Sequence, residues 1–91
     1  MHFDKLLLGV NGVSERGISV NNFTEAGVKR MMVSRATQVI ALADSSKIGV
    51  HSLVHLEPLD AVNMLITDRG TTDAQIRRLR KTHPGLEVLR A

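Results

Sequence analysis

Small polar residues that can hold a hydroxylated ligand follow three apolar runs of this sequence. Asn11-Gly12 comes directly after the first run, Asp44-Ser45-Ser46-Lys47 after the second, and Asp68-Arg69-Gly70-Thr71-Thr72 after the third. Carboxylates and amides hydrogen-bond hydroxyls, whereas a lysine and free backbone amides bind phosphate. The combination favours a site for a polyhydroxylated, anionic molecule, although the same residue types also serve as caps and turns after strands.

The runs that precede these residues have the composition of buried strands. They span residues 6–10, 39–43, 64–67 and 86–89, and their hydrophobicity is nearly continuous, which is typical of parallel strands buried on both faces. A helical segment fits between the first two runs and another between the last two, so the pattern predicts βαβ units and an α/β fold. Ligands bind to such sheets beyond the carboxyl ends of the strands.

The first helix is predicted to begin at Thr24, whose hydroxyl can cap the first turn. Phe23 and Val28 have the spacing of a hydrophobic staple. The predicted buried face of this helix follows helical spacing and consists of Val28, Met31, Met32 and Ala36.

The second helix is predicted over residues 72–81, with Thr71 or Thr72 as its cap. His83-Pro84-Gly85 ends it, because proline cannot continue the hydrogen-bond ladder and glycine permits a left-handed turn. A final strand, at a sheet edge, follows. Residues 14–22 are predicted to form a loop, and residues 48–62 short irregular elements.

Length and composition limit the possible functions. Ninety-one residues, 43% of them hydrophobic and 23% charged, predict one small globular domain. There is no cysteine, which fits a cytoplasmic protein, and no apolar run approaches the roughly 20 residues of a membrane span. The net charge of +3 comes largely from a stretch near the C-terminus that favours a solvated helix face over a nucleic-acid site: Arg77, Arg78, Arg80, Lys81 and Arg90.

Two histidines have a spacing that metal sites also use. His51 and His55 are four residues apart, so both imidazoles would share one face of a helix. No acidic residue joins them at a familiar zinc spacing, and Ser52-Leu53-Val54 between them suits an extended strand equally well. We therefore expect neither a metal nor a cofactor.

Several segments in order resemble the C-terminal domain of DeoR-type transcription regulators. They are Leu8-Gly-Val-Asn-Gly-Val-Ser14, Gly17-Ile-Ser19, Glu25-Ala26, Lys29-Arg30, Leu42-Ala-Asp-Ser-Ser-Lys-Ile-Gly49, Pro58-Leu59 and Leu65-Ile-Thr-Asp68. The resemblance covers nearly the whole chain. It implies a three-layer, Rossmann-like parallel sheet with flanking helices, related to ribose-5-phosphate isomerase, that binds a phosphorylated sugar or a related metabolite.

The resemblance also implies which residues bind the effector: Asn11, Gly12, Glu25, Lys29, Asp44 and Lys47. The related isomerases have acids at the positions of Asn11 and Ser14. An enediol mechanism needs a carboxylate base, so we expect binding without turnover, and not an enzyme. The alternatives are an isomerase-like remnant enzyme and a structural fragment that binds no small molecule.

The resemblance therefore implies that residues 1–91 are the C-terminal part of a DeoR-type effector-binding domain. No segment resembles the family's helix-turn-helix, so DNA would be bound only through a separate domain, and the upstream phosphate loop of the sensor is also missing. A sheet that is incomplete relative to the family exposes edges and faces. We therefore expect a homo-oligomer, dimeric or higher.

Overall fold

The computed structural model describes residues 1–91 and contains seven strands and two helices. In chain order the elements are β1 Phe3–Gly9, β2 Gly12–Ser14, β3 Gly17–Val20, α1 Phe23–Ser34, β4 Ala36–Leu42, β5 Val54–Glu57, β6 Met64–Thr67, α2 Asp73–Thr82 and β7 Glu87–Arg90. Two single 3-10 turns, Ser45–Lys47 and Leu59–Ala61, lie between the later strands. Neither helix has the length and apolarity that crossing a membrane requires.

A parallel sheet in the order β1-β4-β6-β7 forms the centre of the fold. Its four strands are the four apolar runs of the sequence, so the predicted α/β fold with a parallel, Rossmann-like sheet is confirmed. The last strand lies at an edge, as predicted. The strands follow one another across the sheet in chain order. Right-handed crossovers between parallel strands all lie on the same face of a sheet when each new strand is added at the same side. Helices α1 and α2 belong to such crossovers, and both therefore cover one face.

The other face of the sheet is largely open, and we call it the open sheet face. Leu6 and Leu8 of β1 are buried in the core, whereas Leu7 between them is 59% exposed. At the opposite edge Leu89 of β7 is 51% exposed. The expectation that the strands are buried on both faces is therefore wrong for the two edge strands, because no element of the chain packs over these side chains.

A second sheet, β2-β3-β5, is antiparallel and was not predicted. The loop expected over residues 14–22 is wrong, since β3 lies there and all four of its residues are buried. Gly17 begins β3 at φ 130°, and a Cβ at this position would collide with the carbonyl oxygen of Glu57 on β5. The segment expected to be irregular, 48–62, contains β5 and one 3-10 turn.

Helix α1 begins earlier than predicted. Its cap is Asn22, whose side-chain oxygen accepts the amide of Glu25 at 2.7 Å, so the expected cap at Thr24 is wrong. The staple between Phe23 and Val28 is also wrong, because the two side chains are 76% and 51% exposed. An amide oxygen placed before the helix reaches the free amides of the first turn without needing such a contact.

The buried face of α1 also differs from the prediction. Ala26 is its one fully buried residue, Met31 is 54% exposed, and Ala36 lies in β4 instead of the helix. Arg30 donates to the carbonyl oxygens of His55 and Leu56 on β5. Met32, as predicted, and Val33 pack partly buried against the core, whereas Val28 and Met31 point outward.

Helix α2 matches its prediction. Thr72 caps it, accepting the amide of Gln75 at 3.1 Å, while the Gln75 side chain accepts the amide of Thr72 at 2.9 Å to complete a capping box. Ile76 and Leu79 are its buried residues. The helix ends before Pro84, as predicted, but Gly85 has no positive φ, so the left-handed turn expected at this glycine is wrong.

Candidate functional site

The carboxyl ends of three neighbouring strands bring the predicted polar residues to one edge. Strands β1, β4 and β6 pair in parallel, and the amides of Val10 and Ala43 extend the ladder to Leu42 and Ile66 at 3.2 and 3.1 Å. Asn11, Asp44 and Asp68 follow directly. We call these three residues, with the turn Ser45–Lys47, the carboxyl edge.

The turn Ser45–Lys47 is held by a carboxylate on each side. Asp44 accepts the amide of Ser46 at 2.9 Å and also its hydroxyl, and Asp68 accepts the amides of Ser45 at 3.0 Å and Gly70 at 2.7 Å. These hydrogen bonds lower the pKa of both carboxyls, with the Ser46 hydroxyl the largest cause at Asp44 and the Ser45 amide at Asp68. Both side chains are therefore anions that order the loop.

Lys47 at the end of this turn is half-buried, and its side-chain ammonium has no hydrogen-bond or ion-pair partner. Its charge contributes to the lowered pKa of Asp44. The ammonium is thus held near an ordered turn while its donors stay available. A lysine with free N–H donors on an ordered turn is suited to binding an anion.

Asn11 and Gly12 connect the end of β1 to the antiparallel sheet. The Asn11 side-chain oxygen accepts the amide of Asn21 at 3.1 Å, and its side-chain NH2 has no partner. At Gly12 a Cβ would lie 2.5 Å from both the Ser19 hydroxyl and the Val50 carbonyl oxygen. A glycine is therefore required at position 12, because any side chain would clash there. The side-chain NH2 group of Asn11, in contrast, has two N–H donors available to another group.

Glu25 and Lys29 pair with each other on α1, one helical turn apart. Lys29 also donates to the carbonyl oxygen of Gly9, the last residue of β1, and its side chain is only 17% exposed. The pair lies at the end of β1. Its visible role is to fasten α1 to that end.

A cavity of about 240 Å³ opens beside the carboxyl edge, between the β2–β3 turn and α2. Its polar lining consists of Ser14, Glu15, Gln75 and Arg78, with Ile48 and Gly49 directly after Lys47. None of the six predicted effector-binding residues lines it. Gln75 and Arg78 were not predicted because nothing in the sequence indicates that α2 faces the carboxyl edge. Asp68 could have been predicted as a site residue, since it directly follows the third apolar run of the sequence.

The positions that would carry catalysis in an isomerase bear no carboxylate here. The Ser14 hydroxyl is occupied by the amide of Arg16 at 3.2 Å, and Asn11 bonds to Asn21. Neither side chain can act as a general base near neutral pH.

His51 and His55 do not share a helix. His55 lies in β5 and His51 in the loop before it, so the extended alternative is right; the ring centroids are 5.4 Å apart. The His51 Nδ1 is buried without a partner. Burial, then the charge of Arg16, lowers the pKa of His51. No group of three or more metal-binding side chains occurs in the chain.

Comparison with known proteins relates this chain to a family of sensor domains. Residues 1–69 match the family described as the DeoR C terminal sensor domain. The chain is 48% identical over 68 residues to the HTH-type transcriptional repressor GlcR of Bacillus subtilis, covering 75% of this chain and 26% of that protein. It is 38% identical over 89 residues to a putative aga operon transcriptional repressor of Escherichia coli O157:H7, covering 97% of this chain and 32% of that protein.

A third relative is the HTH-type transcriptional regulator GlpR of Haloferax volcanii, 42% identical over 77 residues that cover 84% of this chain and 30% of that protein. The chain thus spans about a quarter to a third of the length of these curated relatives. The family match extends from β1 through the carboxyl edge to Arg69, and the chain therefore belongs to the DeoR C-terminal sensor domain family.

Proposed function

We propose that this chain is the effector-sensing part of a transcription regulator of sugar metabolism, and that it binds a phosphorylated sugar at the carboxyl edge. The observation that carries the proposal is Lys47, a cation without a partner on a turn that Asp44 and Asp68 hold in place. Such a turn costs little further ordering when an anion binds. The names of the relatives, which are transcriptional repressors, support the regulatory part.

In this proposal the six residues implied by the family resemblance have different roles. Lys47 binds the phosphate, and the free NH2 group of Asn11 binds a sugar hydroxyl. Asp44 orients the turn, and Gly12 lets the hairpin lie close to the site. Glu25 and Lys29 fix the end of β1.

Sensing without turnover is part of the proposal. With Asn11 and Ser14 in place of acids, a hydroxyl can be held but a proton cannot be abstracted. The rival function, an isomerase-like remnant, predicts enzyme-like conversion of ribose-5-phosphate by the purified chain. Conversion at such a rate would overturn this part of the proposal.

DNA binding belongs, in this proposal, to a separate helix-turn-helix domain, and the regulator works in the cytoplasm, where the DNA is. The basic residues near the C-terminus favour a solvated face over a DNA site because several are already engaged. Arg90 pairs with Asp73 at 2.8 Å, and Arg78 lies 3.7 Å from Glu15.

Self-association is also proposed, since apolar side chains are exposed on both α1 and the open sheet face.

A thermal-shift panel tests effector binding. A ligand at a hundredfold excess over its dissociation constant adds about 2.7 kcal/mol to stability. The panel contains inorganic phosphate, several sugar phosphates and the unphosphorylated sugars. We expect a shift with at least one sugar phosphate, no shift with its free sugar, and loss of the shift in Lys47→Met. No shift with any member would favour the remaining alternative, a structural fragment that binds no small molecule.

A further inference from the structure

A groove between α2 and β7 is lined by three arginines. It encloses about 240 Å³, and its lining consists of Asp73, Ile76, Arg77, Arg80, Val88 and Arg90. We call these six residues the arginine groove. The groove shares no residue with the cavity beside the carboxyl edge or with the six residues proposed to bind the effector.

Two neighbouring elements bring the charges of the groove together. Asp73, Arg77 and Arg80 lie on one side of α2, because positions four and three residues apart are neighbours on a helix surface. Side chains alternate along β7, so Val88 and Arg90 share one face of the strand. That face is turned toward α2, and the arginines of both elements therefore border the same space.

Contacts inside the chain hold two of the three guanidinium groups in place. The Arg80 Nε donates to the carbonyl oxygen of Leu86 at 3.0 Å, and Arg90 donates to that of Thr71 at 3.2 Å. Because a guanidinium has five N–H donors, each keeps others for a further group. Arg77 is exposed and its side chain has no hydrogen-bond or ion-pair partner.

The charge of the groove selects the kind of ligand. Three guanidinium groups against the one carboxylate of Asp73, which pairs with Arg90 at 2.8 Å, leave a charge of +2. A phosphoryl group carries about −1.5 to −2 charges at pH 7. A single carboxylate would neutralise only half of the excess. The planar guanidinium also matches the spacing of phosphate oxygens, to which it can donate two parallel hydrogen bonds.

We infer that the arginine groove binds the phosphoryl group of a small molecule, at an anion site separate from the carboxyl edge. This inference does not rest on the proposed function, because the two sites use different residues. The groove is smaller than the roughly 300–1,000 Å³ of pockets for drug-sized ligands, so it fits a phosphoryl group with a small attached body.

A solvated basic helix face explains only part of this arrangement. Arg80 and Lys81 lie in the last turn of α2, where cations interact favourably with the helix dipole. Arg77 lies in the middle of the helix and Arg90 on a strand, so neither gains from that interaction. Arg77 is also one turn from both Arg80 and Lys81, and like charges at this spacing destabilise a helix. An anion in the groove would relieve that repulsion.

An amide chemical-shift titration tests the site directly. The probes are inorganic phosphate and phenyl phosphate, with potassium chloride at matched ionic strength as the reference. We expect the amides of Arg77, Val88 and Arg90 to shift with both phosphates. The guanidinium groups are exposed, so each ion pair is weak and the Kd should be on the order of 1 mM. The same shifts should persist in Lys47→Met, in which the proposed phosphate ligand of the carboxyl edge is absent.

Two adjacent arginines provide a matched pair of variants. Arg77→Gln should weaken phosphate binding at Val88 and Arg90 by about fivefold or more. Arg78→Gln is the control, because its side chain lines the other cavity near Glu15 and should leave that binding within about twofold. Both side chains are exposed, so both variants should fold, as circular dichroism would verify. Without phosphate, Arg77→Gln should melt at the same temperature as the wild type or slightly higher, since it removes repulsion.

Three results would overturn the inference. They are no response of the groove amides to phosphate, loss of the response in Lys47→Met, and equal weakening by Arg77→Gln and Arg78→Gln. Short duplex DNA is the remaining arm, and binding at the same amides tenfold tighter than phosphate would instead assign the groove to nucleic acid. Effector binding is judged by the sugar-phosphate panel and its dependence on Lys47. A silent panel with a responsive groove would therefore overturn the proposed function alone.

Discussion

The ammonium of Lys29 donates to the main-chain carbonyl oxygen of Gly9, and so ties the middle of α1 to the last residue of β1. The same nitrogen pairs with Glu25 and is largely shielded from solvent. Lys47, the other lysine of the candidate site, has no such partners. Two lysines that look equivalent in the sequence therefore have different roles, one in holding the fold and one in offering a free charge.

This difference predicts opposite results for two matched variants. Lys29→Met should lower the free energy of unfolding by about 1–2 kcal/mol, because it removes a hydrogen bond to a charged donor and leaves the Glu25 carboxylate without its partner. Lys47→Met should change stability little. Urea unfolding monitored by circular dichroism measures both. Equal losses in the two variants would contradict the assigned roles.

The two glycines near the end of β1 should respond differently to an added methyl group. Gly12→Ala should destabilise the chain by about 1–3 kcal/mol, because its Cβ would lie 2.5 Å from the Ser19 hydroxyl and the Val50 carbonyl oxygen. Gly9→Ala meets no atom within 4 Å and should be neutral or slightly stabilising. Thermal unfolding of the two variants checks this, and a harmless Gly12→Ala would show that Gly12 does not pack against Ser19 and Val50 as described.

Helix caps provide a third comparison. Asn22→Ala and Thr72→Ala should each cost about 1 kcal/mol, since each removes the oxygen that accepts an amide of the first helical turn. Thr24→Ala is the control, because Thr24 is exposed and caps nothing. Chemical denaturation of the three variants should separate Thr24→Ala from the other two. A loss in Thr24→Ala as large as in Asn22→Ala would show that α1 begins later.

The chain should lose stability in mild acid, in part through His51. Burial lowers the pKa of this imidazole in the folded state below its ordinary value of 6.5, so the unfolded chain takes up a proton at a higher pH than the folded chain does. The contribution of His51 is therefore fully present above the unfolded pKa and declines as the pH falls through it toward the folded pKa. We expect His51→Gln to reduce the drop in Tm between pH 7 and pH 5, and His2→Gln to leave that drop unchanged. An identical pH dependence of wild type and His51→Gln would exclude this role.

The sequence predicts the parallel sheet and α2 well because their signals are local. Apolar runs mark the four strands, and Thr72 with Gln75 is a capping pattern that needs no tertiary context. The hairpin that contains Gly17 could not be predicted this way, because its strands have only three and four residues and β3 pairs with β5, which lies beyond α1 and β4 in the chain. The regular stripe that includes Val28 and Met31 is real, but spacing alone does not tell which side of a helix meets the core.

The candidate site was predictable to a similar extent. Polar residues at strand ends mark the carboxyl edge, since parallel strands necessarily end side by side. The separate roles of Lys29 and Lys47 were not visible, because they depend on which side chain reaches the carbonyl oxygen of Gly9. The approach of Arg78 to Glu15 likewise depends on how α2 packs.

The sheet order β1-β4-β6-β7, in which each strand pairs with the preceding strand of the same sheet, also bears on how the domain folds. Each strand that leaves the ribosome finds its neighbour already formed, so no earlier pairing has to open for it to enter. Each pairing nevertheless closes a long connection, because β2, β3 and α1 lie between β1 and β4, and β5 lies between β4 and β6. Such non-local parallel pairing slows folding, so the sheet can assemble in chain order but each step waits for a whole crossover to form.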